Sequence, residues 1–358
     1  MVDTPFHMRD QYGYDRGFHE FDWIASQGTI HEGGWRKLKP VEEIQFERQY
    51  ESDYCAPMTC YHAERWIERH YKDRFFVFVD TWDPHEPWDP PSHYVEQYYP
   101  RWDGKPIELV YDYCKKTGVK KKELDIARAC YAGEVTMVDR AIGRLIERIE
   151  SLDLLRNTLI VIMSDHGFYF GEHGIFGKCI FGEKDGQNCI LGAPLYEEVT
   201  RIPLMVFLPG AKPRRTNAMV QPHDLMPTIL DLVGIEIPDT VQGISAAPIV
   251  RTGGGSNRSW GVSTIPLYSP GEGSRMVDNW MRMVAADLQA TITAGHWSML
   301  YACQGAPVEL YNLKTDPQQK KNLAKKHPRI VSKMHRNFYD LIAESGASEK
   351  ILASRERF

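Results

Sequence analysis

The strongest constraint on the fold is a long amphipathic segment that is followed by a short, wholly apolar one. Between Glu123 and Leu152, apolar side chains recur at intervals of three and four residues, which predicts one long helix. The predicted stripe consists of Tyr131, Val135, Val138, Ile142, Leu145 and Ile149. The run from Thr158 to Ser164 is apolar and β-branched, which is typical of a strand buried on both faces. Helix, loop and strand in this order predict a mostly parallel sheet covered by helices.

Other segments extend this α/β pattern. Residues 41–72 are predicted to be helical, and the apolar run Phe75 to Val79 is predicted to be a second buried strand. A third strand is predicted from Ile202 to Leu208, with Pro203 placing its first residues at an edge or at the strand start. Asp224 is predicted to cap a short helix. Together these elements predict a large α/β domain.

The composition changes at the glycine-rich residues 252–256, which are predicted to form a linker. The predicted domains are an α/β domain of residues 1–252 and a smaller α+β domain of residues 253–358. Consecutive strands without intervening helices predict a small antiparallel sheet in the second domain. The strand candidates are Trp260 to Ile265, Trp280 to Ala285, Ala290 to Ala294, and Trp297 to Tyr301, and Arg329 to Ala343 is the final helix.

Composition excludes several classes of protein. The 43 Lys and Arg residues against 48 Asp and Glu residues give a net charge of −5, which disfavours a general nucleic-acid binder. The longest apolar runs fall far short of the roughly 20 residues that a membrane span needs. Aromatic residues at 11% and hydrophobic residues at 42% disfavour disorder.

The N-terminus and the cysteines bear on the cellular compartment. The first residues show no basic segment followed by an apolar one, so no secretory signal is visible, and a cytoplasmic location is the default expectation. The seven cysteines form no Cys-x-x-Cys pair, which favours reduced thiols. A disulfide between Cys179 and Cys189 is the alternative for the loop between them. A periplasmic or secreted location stays open.

Two polar clusters follow predicted strands. Asp165 and His166 come directly after the strand that ends at Ser164, and His85 lies in the loop after Val79. Ligands in open parallel sheets bind beyond the carboxyl ends of the strands. A carboxylate beside an imidazole suits a divalent cation. The alternative interpretation is an Asp that caps a helix beside an incidental surface His.

The segment after the Asp-His pair adds further polar groups. Gly171-Glu172-His173-Gly174 and Gly177-Lys178 bring a second imidazole and a lysine between glycines that leave room for a ligand. A metal with a nearby lysine suits a tetrahedral oxyanion. The alternative for Lys178 is an ordinary solvated lysine.

These residues carry a resemblance to the sulfatases, members of the alkaline phosphatase superfamily. Phe76 to Trp88 resembles their substrate-histidine loop, and Ser164 to Lys178 resembles their second metal-binding motif with its lysine. Further similar segments are Tyr12 to Phe18, Tyr131 to Gly143, Pro194 to Leu204, Asp224 to Asp231, and Glu309 to Pro317. The matches run in order from about residue 12 to residue 325.

The resemblance implies an alkaline-phosphatase-like fold and a hydrolase of sulfate monoesters. In this family a formylglycine, made from Cys or Ser, is the nucleophile, and a divalent metal, usually calcium, polarises the sulfate; Mn²⁺ and Mg²⁺ are the alternatives. By position, Asp165 and His166 would be metal ligands, and Lys178 would contact the sulfate oxygens. His85 would contact the sulfate or assist the leaving group. For His173, a substrate-binding role and a supporting role are both open.

The sequence departs from the family in one respect. The paired aspartates and the Cys-x-Pro-Ser-Arg motif that should precede Tyr12 do not occur in these 358 residues. Cys55-Ala56-Pro57 is superficially similar but lacks the Ser-Arg pair and is predicted to be structural. The expectation is a larger enzyme of which this chain is the C-terminal part, with a split gene or a degenerate relative as alternatives.

Three functions stay in competition. They are a sulfatase, a phosphonate monoester or phosphodiester hydrolase of the same superfamily, and an inactive fragment with residual metal affinity. The expected partner is a small-molecule or saccharide sulfate ester, and a homo-oligomer is an open alternative. Aromatic side chains that could stack on a sugar or an aryl group are Trp82, Trp88, Tyr98, Tyr99 and Trp102. Surface and core roles are the alternatives for these residues. The insertion between Cys179 and Gly192 is predicted to shape the pocket.

Overall fold

The computed structural model contains two compact units. It describes residues 1–4, 13–24, 48, 50–105, 119–178, 180–184, 187–192, 194–255, 258–264, 283–284, 289–303 and 307–357. The first unit comprises Met1–Asp112 and Gly118–Asn157, and the second comprises Tyr113–Thr117 and Thr158–Phe358. The domain boundary predicted after residue 252 falls inside the second unit and stays a prediction.

The regular elements described in the first unit are helices. They are α1 (Cys55–His70), α2 (Ser92–Val95) and α3 (Lys121–Ser151), with 3₁₀ turns at Glu51–Asp53 and Leu154–Arg156. The helix predicted over residues 41–72 is shorter than expected, because Tyr54 has extended backbone angles and α1 begins only after it. Residues 41–47 of that prediction lie outside the described residues.

Helix α3 confirms the predicted long helix, although its buried face differs from the predicted stripe. Val135 is exposed, whereas the smaller Gly133 and Ala141 are buried together with Met137. Gly133 allows this close packing, because a Cβ there would lie 3.1 Å from the backbone of Tyr94. Small side chains therefore decide which face of α3 packs against the rest of the unit.

The predicted strand Phe75 to Val79 is wrong in its burial. The segment is extended, but only Asp80 at its end forms a bridge, in parallel, to Val2. The Asp80 amide donates to Met1 O at 3.0 Å, and the Asp3 amide donates to Asp80 O at 3.1 Å. Phe76 is 64% exposed. Burial of a strand depends on what lies against its faces, which a short apolar run does not specify.

The second unit contains eleven strands among its described residues. They are β1 (Ile160–Met163), β2 (Tyr169–Phe170), β3 (Phe176–Gly177), β4 (Ile180–Lys184), β5 (Gln187–Gly192), β6 (Leu204–Phe207), β7 (Trp260–Ser263), β8 (Met283–Val284), β9 (Ala290–Ala294), β10 (Trp297–Tyr301) and β11 (Glu309–Asn312). Its helices are α4 (Glu197–Thr200), α5 (Leu225–Leu232), α6 (Ala247–Thr252), α7 (Pro328–Glu344) and α8 (Glu349–Ala353), with 3₁₀ turns at Glu172–Gly174, Pro222–Asp224 and Ala324–Lys326.

Strand β1 carries the Asp-His pair at its carboxyl end. It pairs antiparallel with β6, with Met163 opposite Leu204. Both strands were predicted, but β1 is not buried on both faces as expected. In β6, Met205 is 56% exposed. Strands β2 and β3 form a short antiparallel hairpin. Strands β4 and β5 are antiparallel, and β5 pairs in parallel with β8, so this three-stranded sheet is mixed.

The predicted C-terminal antiparallel sheet is confirmed. Its strand order is β11-β10-β9-β7, and α7 packs on it through a buried apolar cluster. The members at its centre are Ile292, Met299, Leu310, Met334 and Phe338. The candidate strand from Trp280 to Ala285 is wrong as a member of this sheet, since its described part, β8, pairs with β5 instead.

Asp224 precedes α5 as predicted but does not cap it. Its side chain makes no capping hydrogen bond to α5. It accepts instead from the Ile244 amide at 2.8 Å and from Arg258 Nε at 2.9 Å. In the described part of the chain, no helix is long and apolar enough to cross a membrane.

Candidate metal- and oxyanion-binding site

Asp165 and His166 lie immediately beyond the end of β1, separated from it by Ser164. The Asp165 side chain is 82% exposed, and that of His166 is exposed as well. Asp165 Oδ1 accepts from the His166 amide at 2.7 Å, which fixes the carboxylate against its own backbone. Ser164 Oγ donates to the His166 carbonyl at 3.2 Å. The two side chains are thus held at the strand end and remain accessible to solvent.

The orientation of the His166 ring suits a metal ligand. Its Nδ1 lies 2.9 Å from the Gly167 carbonyl, so Nδ1 carries the hydrogen and Nε2 carries the lone pair. That Nε2 lies 3.4 Å from Asp165 Oδ2. One imidazole nitrogen and one carboxylate oxygen therefore converge, and this donor set fits a divalent cation. Among the described residues, no group of three or more His, Cys, Asp or Glu side chains could hold a metal ion.

Gly167 allows α4 to lie directly behind the Asp-His pair. Its amide donates to the Val199 carbonyl at 2.9 Å. A Cβ at Gly167 would overlap the backbone oxygen of Glu198. Only glycine fits at this position, because there is no space for a Cβ. The hydrogen bond to Val199 holds the segment after β1 against α4.

The hairpin of β2 and β3 brings Lys178 back toward the start of the same segment. Tyr169 lies opposite Gly177 in this hairpin, and Lys178 follows Gly177 directly. The Gly171 amide closes the turn by donating to the Ile175 carbonyl at 2.8 Å. Lys178 is half-buried, which supports neither a fully solvated lysine nor a core position.

His173 lies in the turn of this hairpin and faces α4. Its Nε2 is 3.3 Å from Glu198 Oε2, and its ring stacks on Tyr196 with centroids 3.7 Å apart. Burial raises the pKa of Glu198, but hydrogen bonds from His173 and from the Glu198 amide outweigh it, so the net pKa is lowered. His173 is therefore paired with a charged carboxylate, and sequence reasoning did not identify Glu198 as its partner.

His85 belongs to the first unit. Its ring stacks on Trp82 with centroids 3.6 Å apart, and its Nδ1 lies 2.6 Å from the Glu86 carbonyl. Nδ1 therefore carries the hydrogen, and Nε2 of the neutral ring carries the lone pair. The Trp88 side chain, in contrast, is buried against Tyr131, which agrees with a core role and not with stacking on a sugar.

Sequence reasoning missed a group of buried carboxylates. Asp83 and Asp89 lie close to His85 in the sequence, and Glu134 lies in α3. Asp89 forms an ion pair with Arg48 at 3.0 Å. Asp83 and Glu134 are buried, and both oxygens of Glu134 have no hydrogen-bond partner among the described residues. Burial raises the pKa of Asp83 to about 6, although Arg48 lowers it in part. Burial also raises the pKa of Glu134 well above its ordinary value, with Asp83 and Asp89 adding to the effect. The helical spacing of Glu134 with Cys130 and Val138 was the available signal.

The structure thus brings some of the predicted site residues together. Asp165 and His166 converge, and the hairpin connects them to His173 and Lys178. His85 lies in the other unit, so its proximity to these residues stays a prediction. Cys55 is buried at the start of α1, in agreement with a structural role. Cys179 of the predicted disulfide lies outside the described residues.

Comparison with known families gives two matches. The family model described as Sulfatase matches residues 8–235, which is more than half of the chain. The model described as N-sulphoglucosamine sulphohydrolase, C-terminal, matches residues 193–344.

Among curated proteins, an arylsulfatase of Clostridium perfringens is 28% identical over 268 residues, covering 70% of this chain and 49% of the relative. The human N-acetylglucosamine-6-sulfatase is 27% identical over 307 residues, covering 76% of this chain and 53% of the relative. The chain therefore spans about half the length of these relatives.

Solved structures show the same fold. A phosphonate monoester hydrolase from Silicibacter pomeroyi aligns with a TM-score of 0.65 at 19% identity, covering 83% of this chain and 61% of that one. A structure in complex with its substrate D-glucosamine-2-N,6-O-disulfate aligns with a TM-score of 0.61 at 18% identity, covering 83% and 71%. These similarities show an alkaline-phosphatase-like α/β fold. With the Sulfatase model matching most of its length, the chain belongs to the sulfatase family.

Proposed function

We propose that this chain supplies the metal-binding and oxyanion-binding half of a sulfatase active site. The observation that carries the proposal is the convergence of Asp165 Oδ2 and His166 Nε2 at the end of β1, 3.4 Å apart. Both atoms carry lone pairs and both side chains are accessible, as ligands to a divalent cation must be. The family resemblance favours Ca²⁺, and an imidazole donor is equally compatible with Mn²⁺.

Each residue has a proposed role. Asp165 and His166 would hold the cation, which when bound supplies Lewis-acid polarisation of a sulfate ester. Lys178 places a positive charge on the same hairpin and would neutralise a second sulfate oxygen. His85, whose Nε2 would carry a proton in its charged form, would donate it to the leaving alcohol.

The nucleophile is proposed to come from residues outside these 358. A formylglycine requires a Cys or Ser in the family motif, and the sequence contains no match to it. Cys55 is unsuited because it is buried at the beginning of α1. We therefore propose sulfate ester hydrolysis as the activity of the polypeptide or complex in which this chain is combined with a nucleophile.

The proposed substrate class is an amino-sugar sulfate ester. The human relative is named an N-acetylglucosamine-6-sulfatase, and the C-terminal family match carries the name of a sulphoglucosamine hydrolase. A phosphonate monoester is the second candidate, supported by the similarity in fold to the hydrolase from Silicibacter pomeroyi.

Calorimetric titration of the chain with CaCl₂ and MnCl₂ tests the metal site. We expect one site, weakened at least about tenfold by Asp165→Asn, because a carboxylate is lost from the donor set. Asp153→Asn is the matched control, since the Asp153 side chain is also 82% exposed but pairs only with Arg156 on the surface. Equal binding by both variants, or no binding by the wild-type chain, would contradict the proposal.

Thermal stabilisation of the metal-loaded chain separates the two substrate classes. Glucosamine 6-sulfate is expected to raise the melting temperature, whereas the phosphonate monoester methyl methylphosphonate at the same concentration is expected to raise it less. The reverse order would favour the phosphonate hydrolase.

A further inference from the structure

The turn of the β2–β3 hairpin has an unusual backbone conformation. His173 has φ +55° and ψ +17°, which is the left-handed region. A side chain there is sterically disfavoured compared with glycine. Gly171 and Gly174, on either side, also have positive φ but carry no side chain. His173 is thus the residue of this turn that has both a side chain and a left-handed backbone.

Two contacts of the His173 side chain offset this cost. The ring lies nearly parallel to that of Tyr196, at an interplanar angle of 9°. Its Nε2 donates to Glu198 Oε2 across 3.3 Å, and the ring is largely buried by these neighbours. A hydrogen bond to a charged carboxylate is stronger than one between neutral groups.

The neighbours of His173 are themselves held in place. Tyr196 donates its hydroxyl to Glu309 Oε2 at 2.7 Å, and its amide donates to the Tyr169 hydroxyl at 2.9 Å. Tyr169 is a residue of β2, so the surface on which His173 stacks is tied to the same hairpin. The Tyr169 hydroxyl also donates to the Pro194 carbonyl at 2.6 Å.

Glu198 contacts the segment at two places. Its backbone oxygen fills the space at Gly167, next to the Asp-His pair, and its carboxylate holds His173 at the far end of the hairpin. His173 lies six positions after Gly167 and five positions before Lys178 in the sequence. One residue of α4 therefore sets the conformation of the whole segment between the metal donors and the lysine.

We propose that Glu198 and His173 form a positioning pair that sets the location of Lys178 relative to Asp165 and His166. Neither side chain touches the substrate in this scheme. The inference rests on the proposed function, because Lys178 matters only if it meets an oxyanion. Asp165 and His166 are positioned by β1 itself, so loss of the pair displaces Lys178 and leaves the metal donors in place.

The test compares metal and anion binding in single variants of the chain. Glu198→Ala and His173→Ala should bind Ca²⁺ within about threefold of wild type but should weaken inorganic sulfate binding to the Ca²⁺-loaded chain about tenfold. Lys178→Ala should show the same pattern. His173→Asn should restore sulfate affinity, because Asn tolerates the left-handed region and can donate to Glu198.

The matched control is Glu197→Ala, which removes the adjacent carboxylate of α4 without touching His173. It should leave sulfate affinity unchanged. Sulfate affinity that is unchanged in Glu198→Ala, or weakened equally in Glu197→Ala, would overturn the positioning role.

Hydrogen exchange distinguishes failure of the pair from failure of the proposed function. Amides of Gly171 and Ile175, which close the hairpin, should exchange at least about tenfold faster in Glu198→Ala than in Glu197→Ala. If the wild-type chain bound neither metal nor sulfate, the proposed function would fail, and faster exchange would still show that the pair orders the hairpin. Equal exchange in both variants would overturn the pair itself.

Discussion

Replacement of Asp83 by Asn should stabilise the chain at neutral pH and not at acid pH. The Asp83 side chain is buried, and its Oδ1 has no hydrogen-bond partner among the described residues. Its Oδ2 accepts only a long hydrogen bond from the Ala56 amide, at 3.4 Å. Burial raises the pKa of this carboxyl from 3.8 to about 6, because the charged form is poorly solvated.

The size of the effect follows from the change in pKa. The difference between about 6 and 3.8 is about 2.2 pKa units, which at about 1.4 kcal/mol per unit gives about 3 kcal/mol. The pKa is raised in the folded state, so the stability contributed by the protonated form is complete below pH 3.8 and is lost as the pH rises through 6. Asn is neutral at every pH and does not lose this stability.

Urea unfolding at a series of pH values measures the prediction. The free energy of unfolding of Asp83→Asn minus that of wild type should grow by about 3 kcal/mol between about pH 4 and about pH 8. Asp89→Asn is the control, since the Asp89 carboxylate is paired with Arg48 and its loss should destabilise the chain at neutral pH. A difference for Asp83→Asn that does not depend on pH would refute the reasoning.

Three further outcomes are expected. Burial raises the pKa of Cys60 and Cys130 to about 12, so iodoacetamide at about pH 8 should modify these thiols only after unfolding. Rapid modification of the folded chain would contradict this prediction. Asp224→Ala should lower the free energy of unfolding by about 3–5 kcal/mol, because it leaves Arg258 without its buried partner. A loss of stability under about 1 kcal/mol would contradict a stabilising role for that ion pair. Phe338→Ala should cost about 3–5 kcal/mol by leaving a cavity between α7 and its sheet, as calorimetry or urea unfolding would show.

Elements whose signal is local could be predicted from the sequence. The long helix α3 was predicted because its periodicity extends over eight turns or so, and the strands β9 and β10 were predicted within their observed bounds. The burial of Phe75 to Val79 could not be predicted, because it depends on neighbouring segments. The same reason explains why β8 was assigned to the wrong sheet.

The same difference between local signals and contacts with distant segments applies to the candidate site. Asp165 and His166 were predicted because they follow β1 directly in the sequence. The partner of His173 could not be predicted, since Glu198 lies 25 residues further along the chain in a short helix. Asp224 gave a misleading signal: its position before α5 is typical of a cap, yet its carboxylate binds Arg258, 34 residues away.

The close contact at Gly167 makes the residue beside the proposed metal donors harder to replace than those donors themselves. An exposed side chain such as that of Asp165 could change to another ligand with no movement of the backbone. Any side chain at Gly167 would push α4 away, and with it Tyr196 and Glu198. Relatives that exchange metals or abandon catalysis would therefore be free to vary the ligands while the glycine stays invariant. In such a protein, the presence of this glycine would indicate that α4 packs in the same place and would not indicate catalytic activity.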